Sequence, residues 1–189
     1  MRKSLLLVGL AIAGPALAVP TPLTAFDLPL AGTTTAAEPV LAGQVLSDTL
    51  VPFSGGSAPQ AVSGTIQVRV VRGADSKLAY YWKINNAATS KGTIETMPIN
   101  GFPQAAYDAN WRKDGLGTVA PTNLVGAFAA VGIPPQWYYR FEFKVPIKPG
   151  ESSRFFFLRS NAVASKPATA LLQFSGGVAG PIAIQAPAT

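Results

Sequence analysis

The chain contains neither histidine nor cysteine among its 189 residues. Without these side chains it cannot form a Ser-His-Asp or Cys-His nucleophile system, and the usual nitrogen and sulfur ligands of zinc are missing. Disulfides and a lipid-modified cysteine are excluded as well. Charged residues make up only 13% of the chain, and nine carboxylates are the familiar acid-base groups that remain near neutral pH. We therefore expect no cofactor and no catalytic residue set.

Long apolar runs are also scarce, and the clearest one lies at the N-terminus. Arg2 and Lys3 precede the apolar residues 4–13, and Ala16-Leu17-Ala18 follows. This order is typical of a secretory signal peptide, and its apolar part is too short to remain as a membrane-spanning helix. We expect cleavage after Ala18 and a secreted or periplasmic protein of bacterial style, with cell-surface association as an open alternative and no integral membrane segment in the mature chain.

The excess of basic over acidic side chains is small. Loss of Arg2 and Lys3 with the leader would lower it from six to four, and the remaining basic residues are scattered along the chain. Nucleic-acid-binding proteins usually concentrate such residues on one face or helix. The sequence therefore predicts no nucleic-acid partner and favours a polysaccharide or an envelope protein.

What the chain has in abundance is glycine, proline and aromatic residues, and residues 137–161 carry much of the aromatic mass. Residues 137–145 alternate with a period of two, which predicts a half-buried strand. Its core face would be Trp137, Tyr139, Phe141, Phe143 and Val145, and its solvent face Tyr138, Arg140, Glu142 and Lys144. Residues 148–151 read Lys-Pro-Gly-Glu, typical of a type II turn. The apolar residues 155–158 are consecutive, so both faces of that strand should be covered.

The same alternation recurs along the chain. Residues 65–71 and 78–84 predict a hairpin, and residues 123–131 could form either a short helix or a strand. We expect an all-β fold with about eight to ten strands, arranged as a single β-sandwich of the immunoglobulin-like or jelly-roll-like kind, with a barrel as the second choice. Residues 19–40 would form an extended N-terminal arm or first edge strand, and residues 41–189 the sandwich.

Three aromatic residues are candidate ligand contacts. Trp111 lies in a polar loop, while Tyr81 and Tyr138 lie opposite the main aromatic stripes of their strands. An exposed ring can stack on the apolar face of a sugar. The alternative is that a sandwich buries both faces of its central strands and uses these same rings as core or as cover for loops.

Carboxylates define two further candidate sites. Asp108 and Glu142, each beside aromatic residues, are the pair that would serve a glycoside hydrolase if they faced one cleft. Asp108, Asn110 and Asp114 offer oxygen ligands for calcium, but this spacing does not complete a helix-loop-helix calcium loop. Residues 115–120 match a loose dinucleotide-binding pattern, yet Pro121 follows where a helix should begin. We interpret that segment as a turn.

Residues 80–86, 111–121 and 149–161 together resemble secreted bacterial β-sandwich domains of unassigned function, of the kind that often carry a C-terminal surface-sorting signal. The resemblance covers roughly residues 41–175, and it implies a fold and an exported location but no catalytic residues. The likeness does not extend to a sorting signal, because the chain ends in Pro187-Ala188-Thr189. Anchoring by that route is therefore not expected.

These observations favour an exported, non-catalytic structural or interaction module of the periplasm, cell envelope or extracellular matrix. A carbohydrate-binding module that uses exposed aromatic residues is the first alternative. A glycoside hydrolase that uses Asp108 and Glu142 is the second.

Overall fold

Eleven β-strands and one short 3-10 helix build the part of the chain that the computed structural model describes, residues 26–129 and 136–188. The expected leader, residues 1–18, lies outside these ranges. The strands are β1 (Phe26–Pro29), β2 (Gly43–Gly55), β3 (Val62–Gly73), β4 (Leu78–Asn86), β5 (Ile94–Asn100), β6 (Asp108–Trp111), β7 (Asn123–Ala129), β8 (Gln136–Ile147), β9 (Phe156–Arg159), β10 (Ser165–Phe174) and β11 (Gly177–Pro187).

The strands form two antiparallel sheets. One has six strands in the order β1-β7-β8-β5-β10-β11, and the other has five in the order β2-β3-β4-β9-β6. The described sheets do not close into a barrel, so the all-β prediction and the sandwich are confirmed and the barrel is not adopted. The predicted hairpin is β3 and β4, which pair from Gly64↔Asn86 to Arg72↔Leu78.

The eleven strands exceed the expected eight to ten, and the N-terminal arm supplies one of them. β1 lies at the edge of the six-stranded sheet and pairs with β7. Residues 30–42 then cross to the other sheet, where Thr33 bridges Arg112 and the 3-10 helix Pro39–Leu41 follows. This crossing places Leu41 against the outer face of the five-stranded sheet.

The alternative left open for residues 123–131 is decided in favour of a strand. Residues 123–129 form β7, which pairs with β1 on one side and β8 on the other. Residues 130 and 131 lie outside the described ranges. The composition of this segment suits a helix or a strand equally, and pairing with strands on both sides stabilises the extended form.

The core lies between the two sheets. β4 directs Leu78, Tyr80, Trp82 and Ile84 inward, and all four are buried. β8 contributes Tyr139, Phe141 and Phe143 from the opposite sheet. The Trp82 ring is 6.1 Å from that of Phe141 and 5.9 Å from that of Phe156, so aromatic contacts join the two sheets.

The predicted inward position of Val145 is wrong, because its side chain is 61% exposed. Pairing between β5 and β8 jumps from Ile94↔Ile147 to Thr96↔Glu142, so β8 holds more residues than β5 across this interval. The extra residues of such an irregularity have no partner on the neighbouring strand, and Val145 is one of them. Ile147 is the next buried residue of the strand after Phe143.

Residues 155–158 are all buried, so the prediction that both faces are covered is confirmed. Phe156 and Leu158 belong to the core between the sheets, whereas Phe155 and Phe157 join a second cluster on the outer face of the five-stranded sheet. The turn that precedes β9 is also confirmed. Gly150 has φ of 81°, and the Glu151 amide donates to the Lys148 carbonyl at 3.0 Å.

The described residues include no helix of the length and apolarity that a membrane crossing needs.

Candidate functional site

The outer face of the five-stranded sheet carries a concave site. A partly open pocket of about 560 Å³ lies there, between the sheet, the crossing segment and the loop that follows β6. Its apolar lining includes Leu41, Val71 and Phe155. We call this site the outer-face pocket, and its polar lining includes Gln67, Arg69, Tyr81, Arg112 and Asp114.

The register of β3 and β4 sets the base of this pocket. Arg69 is the cross-strand partner of Tyr81, and Tyr81 in turn faces Phe157 of β9. All three side chains therefore point to the outer face. The Tyr81 and Phe157 rings are 5.0 Å apart, and the Arg69 guanidinium lies 4.8 Å from the centre of the Phe155 ring. This last contact is a cation-π interaction.

One ion pair holds Arg69 at the pocket wall. Its guanidinium contacts the Asp48 carboxylate at 2.7 Å, and the Gln67 amide donates to the same carboxylate at 2.8 Å. Burial raises the pKa of Asp48, but hydrogen bonds from Arg69 and Gln67 outweigh it, so the pKa lies below its ordinary value. Asp48 is therefore ionised at neutral pH and neutralises Arg69.

A second ion pair forms the opposite wall. Arg112 Nε donates to Asp114 at 2.7 Å, and the backbone amide and hydroxyl of Thr35 donate to the same carboxylate at 2.8 and 2.9 Å. The hydrogen bond from Arg112 is the largest cause of the lowered pKa of Asp114. These contacts join the crossing segment to the loop after β6 and so shape the pocket.

Tyr81 lies at the base of the pocket, and of the two alternatives left open for its ring, burial is the one observed. The residue is only 4% exposed, because the crossing segment and β9 cover the outer face of β4. Within the described part of the chain, its hydroxyl has no hydrogen-bond partner. Burial raises the pKa of Tyr81, and an interaction with the Arg112 guanidinium, whose geometry falls short of a hydrogen bond, opposes this shift. The pocket thus has a buried polar atom at its base whose hydrogen-bonding capacity is unused.

Trp111 is half-buried and serves as an anchor for the crossing segment. Its indole N–H donates to the Leu30 carbonyl at 3.3 Å, and Gly32 lies so close that a Cβ there would be 2.4 Å from the ring. The Arg154 guanidinium lies 5.5 Å from the ring centre and the Lys113 ammonium 6.0 Å. Arg154 therefore occupies a ring face that a sugar would need.

Tyr138 lies on the other side of the molecule. It is half-buried on the outer face of the six-stranded sheet, two residues before Arg140, which pairs with Glu142 at 2.5 Å. On this sheet a shallow second pocket of about 580 Å³ includes Asn123 and Lys144 in its lining. The three predicted aromatic contacts therefore do not converge on one site.

The two carboxylates proposed for hydrolysis are not brought together either. Asp108 pairs with Arg159 of β9 on the outer face of the five-stranded sheet, whereas Glu142 lies on the outer face of the six-stranded sheet. Because packed sheets are about 10 Å apart and these side chains point away from each other, one glycosidic bond cannot lie between them. Burial, then the charge of Glu38, raises the pKa of Asp108, and Arg159 opposes the shift.

The oxygens considered for calcium have structural uses. Asn110 Oδ1 accepts from the amides of Gly32 and Trp111 at 2.7 and 3.0 Å, and Asp114 is paired as described. Among residues 26–129 and 136–188 there is no group of three acidic, histidine or cysteine side chains that could hold a metal ion. The glycine-rich residues 115–120 form a loop without a helix, as expected.

The sequence prediction missed the outer-face pocket itself. The alternation of residues 65–71 is a signal that Arg69 and Val71 point away from the core. The register of the predicted hairpin would also have placed Arg69 beside Tyr81. The cover over these residues comes from Leu41 and Thr35, for which no periodic signal exists. Comparisons of the chain with protein-family models, curated proteins and solved structures found no match.

Proposed function

We propose that this chain is an exported, non-catalytic interaction module that binds a protein of the cell envelope through the outer-face pocket. The signal-peptide pattern of residues 1–18 supports export. The lack of histidine and cysteine, together with the opposite positions of Asp108 and Glu142, argues against catalysis. Binding is the role that a preformed pocket on a rigid sheet supports best.

The unpartnered Tyr81 hydroxyl is the observation that carries this proposal. A buried hydroxyl without a partner costs about 1–3 kcal/mol, so folding alone gives no reason to keep it. A ligand oxygen that accepts from this hydroxyl would recover that cost in the complex. The hydroxyl itself is almost completely covered, so a ligand reaches it only when the side chains above it shift.

The lining indicates the chemistry of the ligand. Leu41, Val71 and Phe155 supply apolar walls, and the guanidiniums of Arg69 and Arg112, each paired with its own carboxylate, supply hydrogen-bond donors. An apolar side chain next to a carbonyl or carboxylate oxygen fits this arrangement, as an extended segment of a protein partner provides. A sugar fits it less well, because the Phe155 ring is already covered by Arg69.

The test compares wild type with Tyr81→Phe, which removes only the hydroxyl, on an array of short peptides derived from envelope proteins. We expect peptides with an apolar residue beside an acceptor to bind wild type, and the variant to bind them about tenfold or more weakly. The exposed Val163→Ala change serves as a control that leaves affinity unchanged. Equal binding by wild type and Tyr81→Phe would contradict the role of the pocket.

The absence of catalysis is tested separately. Wild type, Asp108→Asn and Glu142→Gln are assayed on a panel of glycoside and ester substrates. We expect no turnover that depends on either carboxylate. Hydrolysis that disappears in one of the variants would overturn the non-catalytic assignment.

Carbohydrate binding at Tyr138 is a second candidate function. The half-buried ring lies on a polar sheet face, where Asn123 donates to Asp27 at 2.5 Å beside the Arg140–Glu142 pair. A ring on such a face can stack on the apolar side of a sugar, with the polar groups four residues along β8 at Glu142 available to its hydroxyls. In affinity gels that contain polysaccharide, this candidate predicts retardation of wild type and normal migration of Tyr138→Ala. Unretarded wild type across common glycans would exclude it.

A further inference from the structure

The edge strand β2 has an unusually open N-terminal part. It is the terminal strand of the five-stranded sheet, and residues 42–50 are all exposed. Three large apolar side chains are among them, with Val45 49%, Leu46 41% and Leu50 61% exposed. The opposite end of the strand is covered, since Gly55 lies against Ala179 of β11. Residues 43–51 thus form a free edge of about 30 Å.

The other three sheet edges of the described structure have the usual protection against strand pairing. β1 and β6 have four residues each, and β1 also contains Pro29. β11 contains Pro181 within the strand. Short length and proline both prevent an edge from adding another strand. Residues 43–51 of β2 contain no proline, lysine or arginine, and Pro52 lies just beyond them. This part of the edge is longer than β1 or β6 and is not interrupted by proline as β11 is.

The free edge is compatible with a copy of itself. Its single charged residue, Asp48, is neutralised by Arg69 and also accepts from Gln67, so like charges do not oppose self-pairing. One register shift lies between Val45 and Ser47, and the ladder with β3 is regular from Ser47 to Val51. An antiparallel pairing centred on the middle of this regular part sets Asp48 opposite Leu50 of the other copy.

We propose that two copies of this chain associate through their β2 edges, antiparallel about a twofold axis near Thr49, to form one continuous ten-stranded sheet. The same edge is used by both copies, so the contact closes as a dimer and does not propagate. Since the other described edges are short or contain proline, none of them offers a comparable edge for β2 to pair with. This edge shares Gly43 and Val45 with the lining of the outer-face pocket but does not include the Tyr81 hydroxyl. Association is measured on the protein without ligand, so its failure is distinguishable from failure of the proposed function.

The first experiment measures mass by sedimentation equilibrium for the purified wild-type chain, Thr49→Lys and Val163→Lys. We expect wild type to dimerise, and Thr49→Lys to raise the dissociation constant at least tenfold, because two like charges would face each other at the axis. Val163 is exposed outside β2, so its lysine variant should dimerise as wild type does. Circular dichroism and a thermal melt confirm that each variant is folded.

The second experiment uses the absence of native cysteine. Directly opposed residues of antiparallel strands have Cα atoms about 4.5–5.5 Å apart, which a disulfide can span. Thr49→Cys should therefore give a covalent dimer under mild oxidation, whereas Val163→Cys should remain monomeric. A wild type that is monomeric at high micromolar concentration, or a dimer that Thr49→Lys leaves intact, would overturn the proposal. Binding of a strand from another protein by a chain that does not self-associate would also overturn the proposal.

Discussion

At the scale of single residues, Phe156 concentrates the contacts that join the two sheets. Its fully buried ring lies 4.6 Å from Phe141 and 5.6 Å from Phe143. Phe156→Ala should therefore destabilise the fold by about 3–5 kcal/mol, through lost apolar burial and the cavity left behind. Urea unfolding measures this cost, with the exposed Leu116→Ala as a control expected within about 0.5 kcal/mol of wild type. Unchanged stability of Phe156→Ala would mean that the site is not filled as described.

Tyr81 should show the opposite behaviour. Because its buried hydroxyl has no partner in the described structure, Tyr81→Phe should raise the free energy of unfolding by about 1 kcal/mol in the absence of ligand. Guanidinium unfolding of both proteins, followed by tryptophan fluorescence, measures the difference. A variant that is less stable than wild type would show that the hydroxyl is satisfied, for example by Arg112. A gain in stability with a loss of binding would be typical of a functional site.

Asp108 should make stability depend on pH. Burial and the charge of Glu38 raise its pKa in the folded protein, so the native state binds more protons than the unfolded chain between the two pKa values. The contribution of Asp108 to stability therefore falls as the pH rises through this interval. Asp108→Asn should be more stable than wild type near pH 7, and this advantage should vanish below the ordinary carboxyl pKa of about 3.9. Thermal melts across this range test it, and a variant less stable than wild type at pH 7 would show that the attraction to Arg159 dominates.

At the scale of elements, the turn at residues 148–151 carries the chain from β8 of one sheet to β9 of the other. Gly150 has φ of 81°, and only Ala88 lies near the position that a Cβ would take, at 3.8 Å. Gly150→Ala should thus cost about 1–2 kcal/mol from backbone strain alone. Chemical denaturation measures this cost, and Lys148→Ala at the exposed first position of the turn is the control. Equal stability of the glycine variant would show that the turn relaxes into another type.

The elements also show where period-two patterns suffice and where they fail. Alternation predicted the inward residues of β4 correctly, since pairing on both sides keeps that strand regular. It failed at Val145, which is exposed although Phe143 and Ile147 on either side are buried, because the ladder with β5 is irregular there. Local sequence does not report such an irregularity, because it depends on the length and register of the neighbouring strand.

At the scale of the whole molecule, one core is shared by both sheets. It includes Trp82 of the five-stranded sheet and Phe141 of the six-stranded sheet, in contact with each other. Neither sheet can keep its buried face without the other, so we expect a single cooperative unfolding transition. Far-UV circular dichroism and tryptophan fluorescence should give the same midpoint. Two separated transitions would mean that the sheets unfold independently.

The sequence by itself determined the fold class. The alternating strands and the buried run at residues 155–158 were predictable because they depend on the pleat. The type II turn was predictable because it depends on local backbone preferences. The predicted export and the family resemblance remain predictions of the same kind, drawn from residue patterns alone.

Only the tertiary structure decided the site. Tyr81 is buried because Leu41 and Phe157, distant along the chain, cover the outer face of its strand, and the outer-face pocket arises from that cover. Asp108 and Glu142 lie on opposite outer faces because β6 and β8 belong to different sheets. Contacts between residues far apart in the chain follow from sheet order, which period-two patterns do not encode.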